Sequence, residues 1–186
     1  MAKKKKGTKQ KTQVKKESKL KEELISRLPV IKFIGGFFIF TIVFYLLTNA
    51  DWFDAVRSPL ISIYTTLSSV ILSIFGFDMQ SNGSILSNGR FSVDVQEGCD
   101  AVVPTILFIT AVLVFPTSWK HKLKGLMFGV PSLFAINLFR IVSLFLTGLY
   151  IPSLFDFMHV EFWQALFILA TVLIFISWLR KTNMAA

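Results

Sequence analysis

Cysteine and histidine are scarce in this chain. One Cys and two His stand among 186 residues, and 11 acidic side chains face 20 Lys and Arg. A single cysteine excludes an internal disulfide framework and a CxxC-type zinc site, and no metal or cofactor is expected. What is plentiful is apolar. Such residues make up 53% of the chain, Phe alone occurs 20 times, and the mean hydropathy is +0.61. A soluble core of this size could not bury that much apolar surface, so composition places the chain in a membrane.

The formal charge of +9 is concentrated at one end, where ten lysines fall within residues 1–21. Almost no apolar side chain precedes Leu20, so residues 1–28 are read as a mostly disordered tail. No aromatic residue interrupts the lysines to stack on a base, which argues against a nucleic-acid partner. A cytoplasmic tail touching anionic lipid fits better.

Residues 29–181 form a single membrane-embedded domain in this reading. The fold class is all-α and polytopic, with about four transmembrane helices over 30–49, 100–116, 125–150 and 160–179. No A-x-A-like site follows the first run, which is therefore an anchor rather than a signal peptide. Pro131 is expected to kink the third span without breaking it. Residues 59–77 are long enough to span, but Ser62, Thr65, Thr66, Ser69 and Ser73 recur at helical spacing as a polar stripe. Lys120, Lys122 and Lys124, like Arg180 and Lys181, belong on the cytoplasmic side with the tail. That placement holds only if 59–77 does not cross, so it is expected to be an amphipathic helix in the outer leaflet. Residues 82–96 then form a short extracytoplasmic β-hairpin. Its turn is Asn88-Gly89, and Phe91, Val93 and Val95 alternate with polar neighbours.

Depth brings three chemically notable residues to one layer. With the cytoplasmic helix ends as a floor and ~1.5 Å rise per residue, Cys99 stands roughly 24 Å above Phe115, Arg140 roughly 22 Å above Gly125 and His159 roughly 30 Å above Leu179. A lone cysteine is more often a small buried hydrophobe than a nucleophile. An arginine inside an apolar helix is costly enough to point to function. His121, in the lysine loop, lies on the opposite face. The chemistry of the three is coherent: His159 takes the thiol proton, and Arg140 holds the thiolate or stabilises an oxyanion. Asp156 or Glu161 is placed to orient the imidazole. The reaction class is acyl transfer through a thioester.

The order Glu97-x-Cys99, Asn137-x-x-Arg140, then His159 at the head of the last apolar helix resembles the exosortase/archaeosortase family. The likeness covers roughly residues 55–180 and is closest to the short exosortase F type. It implies a membrane cysteine protease or transpeptidase. Its partners would be exported proteins with a C-terminal sorting signal, made of a short motif, a transmembrane helix and a basic tail. It also implies a multi-pass protein of the cytoplasmic (inner) membrane, with its active site on the extracytoplasmic side. Cys99 would be the nucleophile, Arg140 the positioning or oxyanion-stabilising cation, and His159 the acid/base, with Glu97, Asn137 and Asp156 in support. Many relatives continue the motif as Cys-Ser-Gly-Leu, whereas this chain reads Cys99-Asp100-Ala101-Val102, which leaves the recognition motif open. Two other classes compete. A small transporter or channel would use Arg140 to bind anions, but it lacks the paired intramembrane acids or inverted repeat expected of one. A membrane scaffold would use the aromatic helices for assembly alone.

Overall fold

The computed structural model describes residues 27–183. The basic tail expected over 1–28 therefore falls outside them, apart from its last two residues. Helix α1 (Arg27–Thr48) leads through a 3-10 turn at Asp51–Phe53 into α2 (Asp54–Ile74). Three short strands follow, β1 (Gln80–Asn82), β2 (Ile85–Ser87) and β3 (Ser92–Asp94), then α3 (Val102–Val114) and α4 (Trp119–Tyr150). A 3-10 turn at Pro152–Leu154 and a π-helical turn at Phe157–Phe162 connect α4 to α5 (Trp163–Asn183).

Among the described residues, four helical segments are long and apolar enough to cross a membrane: Arg27–Thr48, Asp51–Ile74, Trp119–Tyr150 and Phe157–Lys181. The chain is a mostly helical, multi-pass membrane protein carrying one small sheet. Pro131 lies inside α4 without breaking it. The apolar run at 100–116 gives only the 13-residue α3, about 20 Å of rise and short of the ~30 Å hydrocarbon core. An irregular turn over 97–101 precedes it.

Helix α2 differs from the expected element over 59–77. It starts at Asp54 and carries Pro59 inside it. Of the Ser/Thr stripe, Thr65 and Ser69 are buried and Ser62 is half-buried, while Thr66 and Ser73 remain exposed. Val56, Ile63, Leu67, Val70 and Ile74 face outward. Much of the stripe thus turns into the protein, because small hydroxyl side chains permit close approach and bond across the contact. Thr65 Oγ1 donates to the Gly83 carbonyl at 2.7 Å. The course of α2 is set at its two ends. Arg57 reaches the Thr48 carbonyl at the end of α1, and the ring of Phe77, just past α2, lies 6.4 Å from that of Tyr150 at the end of α4. The helix therefore leads away from the other end of the bundle, where Phe33 meets Phe115 and Trp178 bonds the His121 carbonyl.

The sheet is antiparallel in the order β1-β2-β3. Its β2–β3 turn contains the expected Asn88-Gly89 but is centred one residue later, on Gly89-Arg90, because the Asn88 amide donates to the Phe91 carbonyl. Gly89 has φ 77°, open to glycine at the first central position, and Asn88 Oδ1 accepts from the amides of Arg90 and Phe91. One core cluster joins Leu86 and Val95 of this segment to Tyr64 and Leu72 of α2 and Phe145 of α4. A second joins Phe108 and Val112 of α3 to Leu133 of α4 and Phe167 and Trp178 of α5. Three glycines, Gly125, Gly129 and Gly148, let aromatic rings close on α4. A Cβ at Gly129 would fall 2.1 Å from the Phe108 ring, and one at Gly148 would fall 2.1 Å from that of Phe91.

Overpacking of this kind costs about 1–3 kcal/mol. Gly129→Ala should lower the thermal midpoint of the detergent-solubilised protein. Gly35→Ala, where nothing lies within 4 Å, should not.

Candidate active site

Cys99 sits on the turn between β3 and α3. Gly98 (φ 89°) precedes it, and Ala101 (φ 55°) is the non-glycine residue with positive φ among the described residues. An L-residue in that conformation costs on the order of 1–2 kcal/mol, so surrounding contacts must hold the turn. Within it the Cys99 amide donates to the Gln96 carbonyl at 3.0 Å. Asp100 Oδ1 accepts from the Val102 amide at 3.1 Å, covering one of the open N–H groups that begin α3.

Helix α4 grips the turn from one side. Asn137 and Arg140 are three residues apart and so share a face, and both are buried. Asn137 Nδ2 donates to the Cys99 carbonyl at 2.9 Å, and Arg140 Nη1 donates to the Gly98 carbonyl at 3.1 Å. The other terminal nitrogen, Arg140 Nη2, lies 3.8 Å from Cys99 Sγ and 3.5 Å from the His159 carbonyl. His159 enters from the π-helical turn, a device common at functional sites. Its Nδ1 is 3.7 Å and its Nε2 3.9 Å from the same sulfur. The Phe155 ring stacks on the imidazole, centroids 5.8 Å apart and planes within 7°, which fixes the orientation of the imidazole plane.

Thiol, guanidinium and imidazole therefore converge, as the depth estimate allowed. The supporting residues divide. Asn137 belongs to the site and acts on the backbone of the nucleophile turn. Asp156 lines the cleft with His159. Glu97 is directed elsewhere: its exposed carboxylate meets Arg57 Nη2 at 3.0 Å.

Two residues passed over in the sequence complete the turn. Arg57, at the start of α2, lies with its Nε 3.2 Å from Asp100 Oδ2, its Nη1 3.2 Å from Asp54, and its Nη2 on the Thr48 carbonyl. Asp100 is 3% exposed and the Arg57 side chain 14%, so this ion pair is largely withdrawn from water. The available signal was a charged residue directly after the cysteine, at the mouth of an apolar run. Its partner cannot be read from spacing, because Arg57 reaches it from a different helix.

Beside the turn opens a cleft of about 400 Å³. It runs between β3 and the α4–α5 connection, with Phe91, Val93, Ile141, Leu144, Cys99 and His159 in its lining. Burial pushes the Cys99 thiol above its ordinary value, with Arg140 pulling it down and Asp100 adding to the rise. The resting sulfur is thus a thiol, and a base has to take its proton before it can attack. The neighbouring imidazole is in reach to do so.

The family model for the transmembrane exosortases matches residues 34–176. No curated protein and no solved structure matches the chain.

Two outcomes are expected of the site. Removing one partner of a buried ion pair costs about 3–5 kcal/mol. Arg57→Met should therefore strongly lower the unfolding midpoint, and adding Asp100→Asn should recover much of the loss; strictly additive effects would contradict the pairing. Because the thiol is raised, iodoacetamide should alkylate Cys99 at a rate that still climbs above pH 9.0, the thiol's ordinary value. Arg140→Gln should move that curve to higher pH, since a cation that lowers the thiol has been removed.

Proposed function

The chain belongs to the transmembrane exosortase family, and we propose that it is a membrane cysteine transpeptidase or protease acting on C-terminal sorting signals of exported proteins. One observation carries this reading: Cys99 Sγ has an imidazole nitrogen at 3.7 Å and a guanidinium nitrogen at 3.8 Å, in the lining of an open cleft.

The steps follow from the groups present. His159 removes the thiol proton as Cys99 Sγ approaches the scissile carbonyl. Arg140 Nη2 stabilises the negative charge, first on sulfur and then on the carbonyl oxygen of the tetrahedral intermediate. The C–N bond breaks, the leaving amine takes the proton from His159, and the acyl group stays on Cys99 as a thioester. An incoming amine, or water, gives its proton to His159, attacks the thioester and restores the thiol. Asn137 keeps the Cys99 carbonyl fixed while the sulfur changes charge.

The site's depth suits a tail-anchored substrate. From Lys120 to Arg140 a helix rises about 30 Å, the thickness of the hydrocarbon core. With Lys120–Lys124 and Arg180–Lys181 on the cytoplasmic side of the inner membrane, Cys99 lies at the extracytoplasmic edge. A scissile bond just outside a substrate's own transmembrane helix would meet it there. The likeness to the F type rests on the residue pattern alone.

Trapping tests the reading. Acid-quenched wild-type membranes should carry a hydroxylamine-labile adduct on Cys99 from a co-expressed sorting-signal protein. Cys99→Ala should carry none and should not process that protein. His159→Ala should slow processing by about 10²–10⁴-fold, the usual contribution of a general base. Unchanged processing in Cys99→Ala would end the proposal, and full function in Cys99→Ser would favour a transporter.

A further inference from the structure

Strand β3 is an edge strand of the sheet, and its residues line the cleft. Two turn-flanking bonds establish which way its backbone faces. The Asn88 amide donates to the Phe91 carbonyl at 3.1 Å, and the Val95 amide donates to the Ser84 carbonyl at 2.9 Å. Between them Ser87, Leu86 and Ile85 pair with Ser92, Val93 and Asp94. Hydrogen-bonded pairs alternate in an antiparallel ladder, so Phe91, Val93 and Val95 spend their backbone groups on β2. Ser92 and Asp94 direct theirs away from it. Residues Phe91 to Val95 all line the cleft, together with Cys99 and His159.

An exposed edge of unpaired amides is ordinarily blunted by proline, a bulge or a covering element. Here it is kept open and held firmly. The Phe91 ring lies over Gly148 of α4 and stacks edge-on with Phe145 and Phe155 at 5.6 and 6.2 Å. Val95 and Leu86 are fully buried behind it. Five residues beyond Asp94 the chain reaches Cys99, so the edge leads directly into the nucleophile turn.

We infer that the substrate's segment next to the scissile bond binds in the cleft as an extended strand, pairing with the outward backbone groups of Ser92 and Asp94. This rests on the cysteine reading of the site. The occupant is a peptide of a few residues rather than a folded domain, because the cleft holds about 400 Å³. Strand addition takes its affinity from main-chain bonds and its specificity from alternate side chains. Every second substrate side chain then faces the apolar wall of Val93, Ile141 and Leu144, and the intervening ones face out. The carboxylate of Asp94 is held low by hydrogen bonds from Ser84 and Gln96, and Asp156 shares the cleft, so the open side is acidic.

The test uses the full chain in membranes, with the protein trapped on Cys99 as the probe. Proline at an outward-facing edge position removes an amide donor without breaking the ladder to β2. Ser92→Pro and Asp94→Pro should each raise KM at least tenfold while kcat and the rate of Cys99 alkylation by iodoacetamide stay within about twofold. Wild-type KM in both variants would overturn the inference. A second measurement stands whether or not proline is tolerated. In Cys99→Ala carrying Ser92→Cys, single cysteines are placed along the eight or so residues preceding the substrate's transmembrane helix. Disulfide yield should alternate with a period of two, as paired strands require. A flat or helical-period profile would overturn it. If Cys99→Ala itself leaves processing intact, the fault lies with the proposed function; if that variant is dead and the profile is flat, only the strand pairing fails.

Discussion

A guanidinium cannot be left unpaired in an apolar helix bundle, and the architecture around Cys99 follows from that constraint. Arg140 is 8% exposed on a helix whose other buried side chains are mostly hydrocarbon or glycine. Its hydrogen bonds must come from groups brought to it. Those groups are the Gly98 carbonyl and, at longer range, the His159 carbonyl and the sulfur. The need to satisfy one buried cation thus draws the β3–α3 turn and the α4–α5 connection to the same point. Nucleophile and base meet there because both backbones are anchored to the same side chain.

A second, half-buried arginine complements the first. Arg57 is matched by Asp100 within the protein and by Glu97 and Asp54 at its rim. With Arg57 so neutralised, Arg140 is the cation facing the sulfur. The division of labour is physical. One arginine is spent on holding the strained turn, and the other is held by carbonyls, which leave its positive charge intact for a developing anion. The raised thiol fits this arrangement, since a cation tied to carbonyls in a partly dry site assists ionisation without completing it.

Much of this was legible in the residues. Long apolar runs gave α1, α4 and α5 because hydrophobic length is a one-dimensional property of the chain. Asn88-Gly89 and the alternation after it gave the β2–β3 hairpin. Strand β1 was not legible: Gln80-Ser81-Asn82 is entirely polar and carries no alternation, and it becomes a strand only because β2 and α2 lie beside it. The Ser/Thr stripe of α2 was read as the polar side of an amphipathic outer-leaflet helix, whereas Thr65 and Ser69 are buried in the protein and Thr66 and Ser73 are exposed. Hydroxyl groups serve equally well against solvent or against a neighbouring carbonyl, so the pattern alone could not choose.

The amino-acid sequence by itself determined that this is a membrane protein. It also allowed Cys99, Arg140 and His159 to share one layer, because helix rise is local and nearly constant. Depth says nothing about azimuth. Which face of α4 looks toward the turn, that Arg57 rather than a nearer basic residue pairs with Asp100, and that β3 lines the cleft were decided by tertiary packing. Those relations join segments far apart in the chain, and only the filling of a shared interior fixes them.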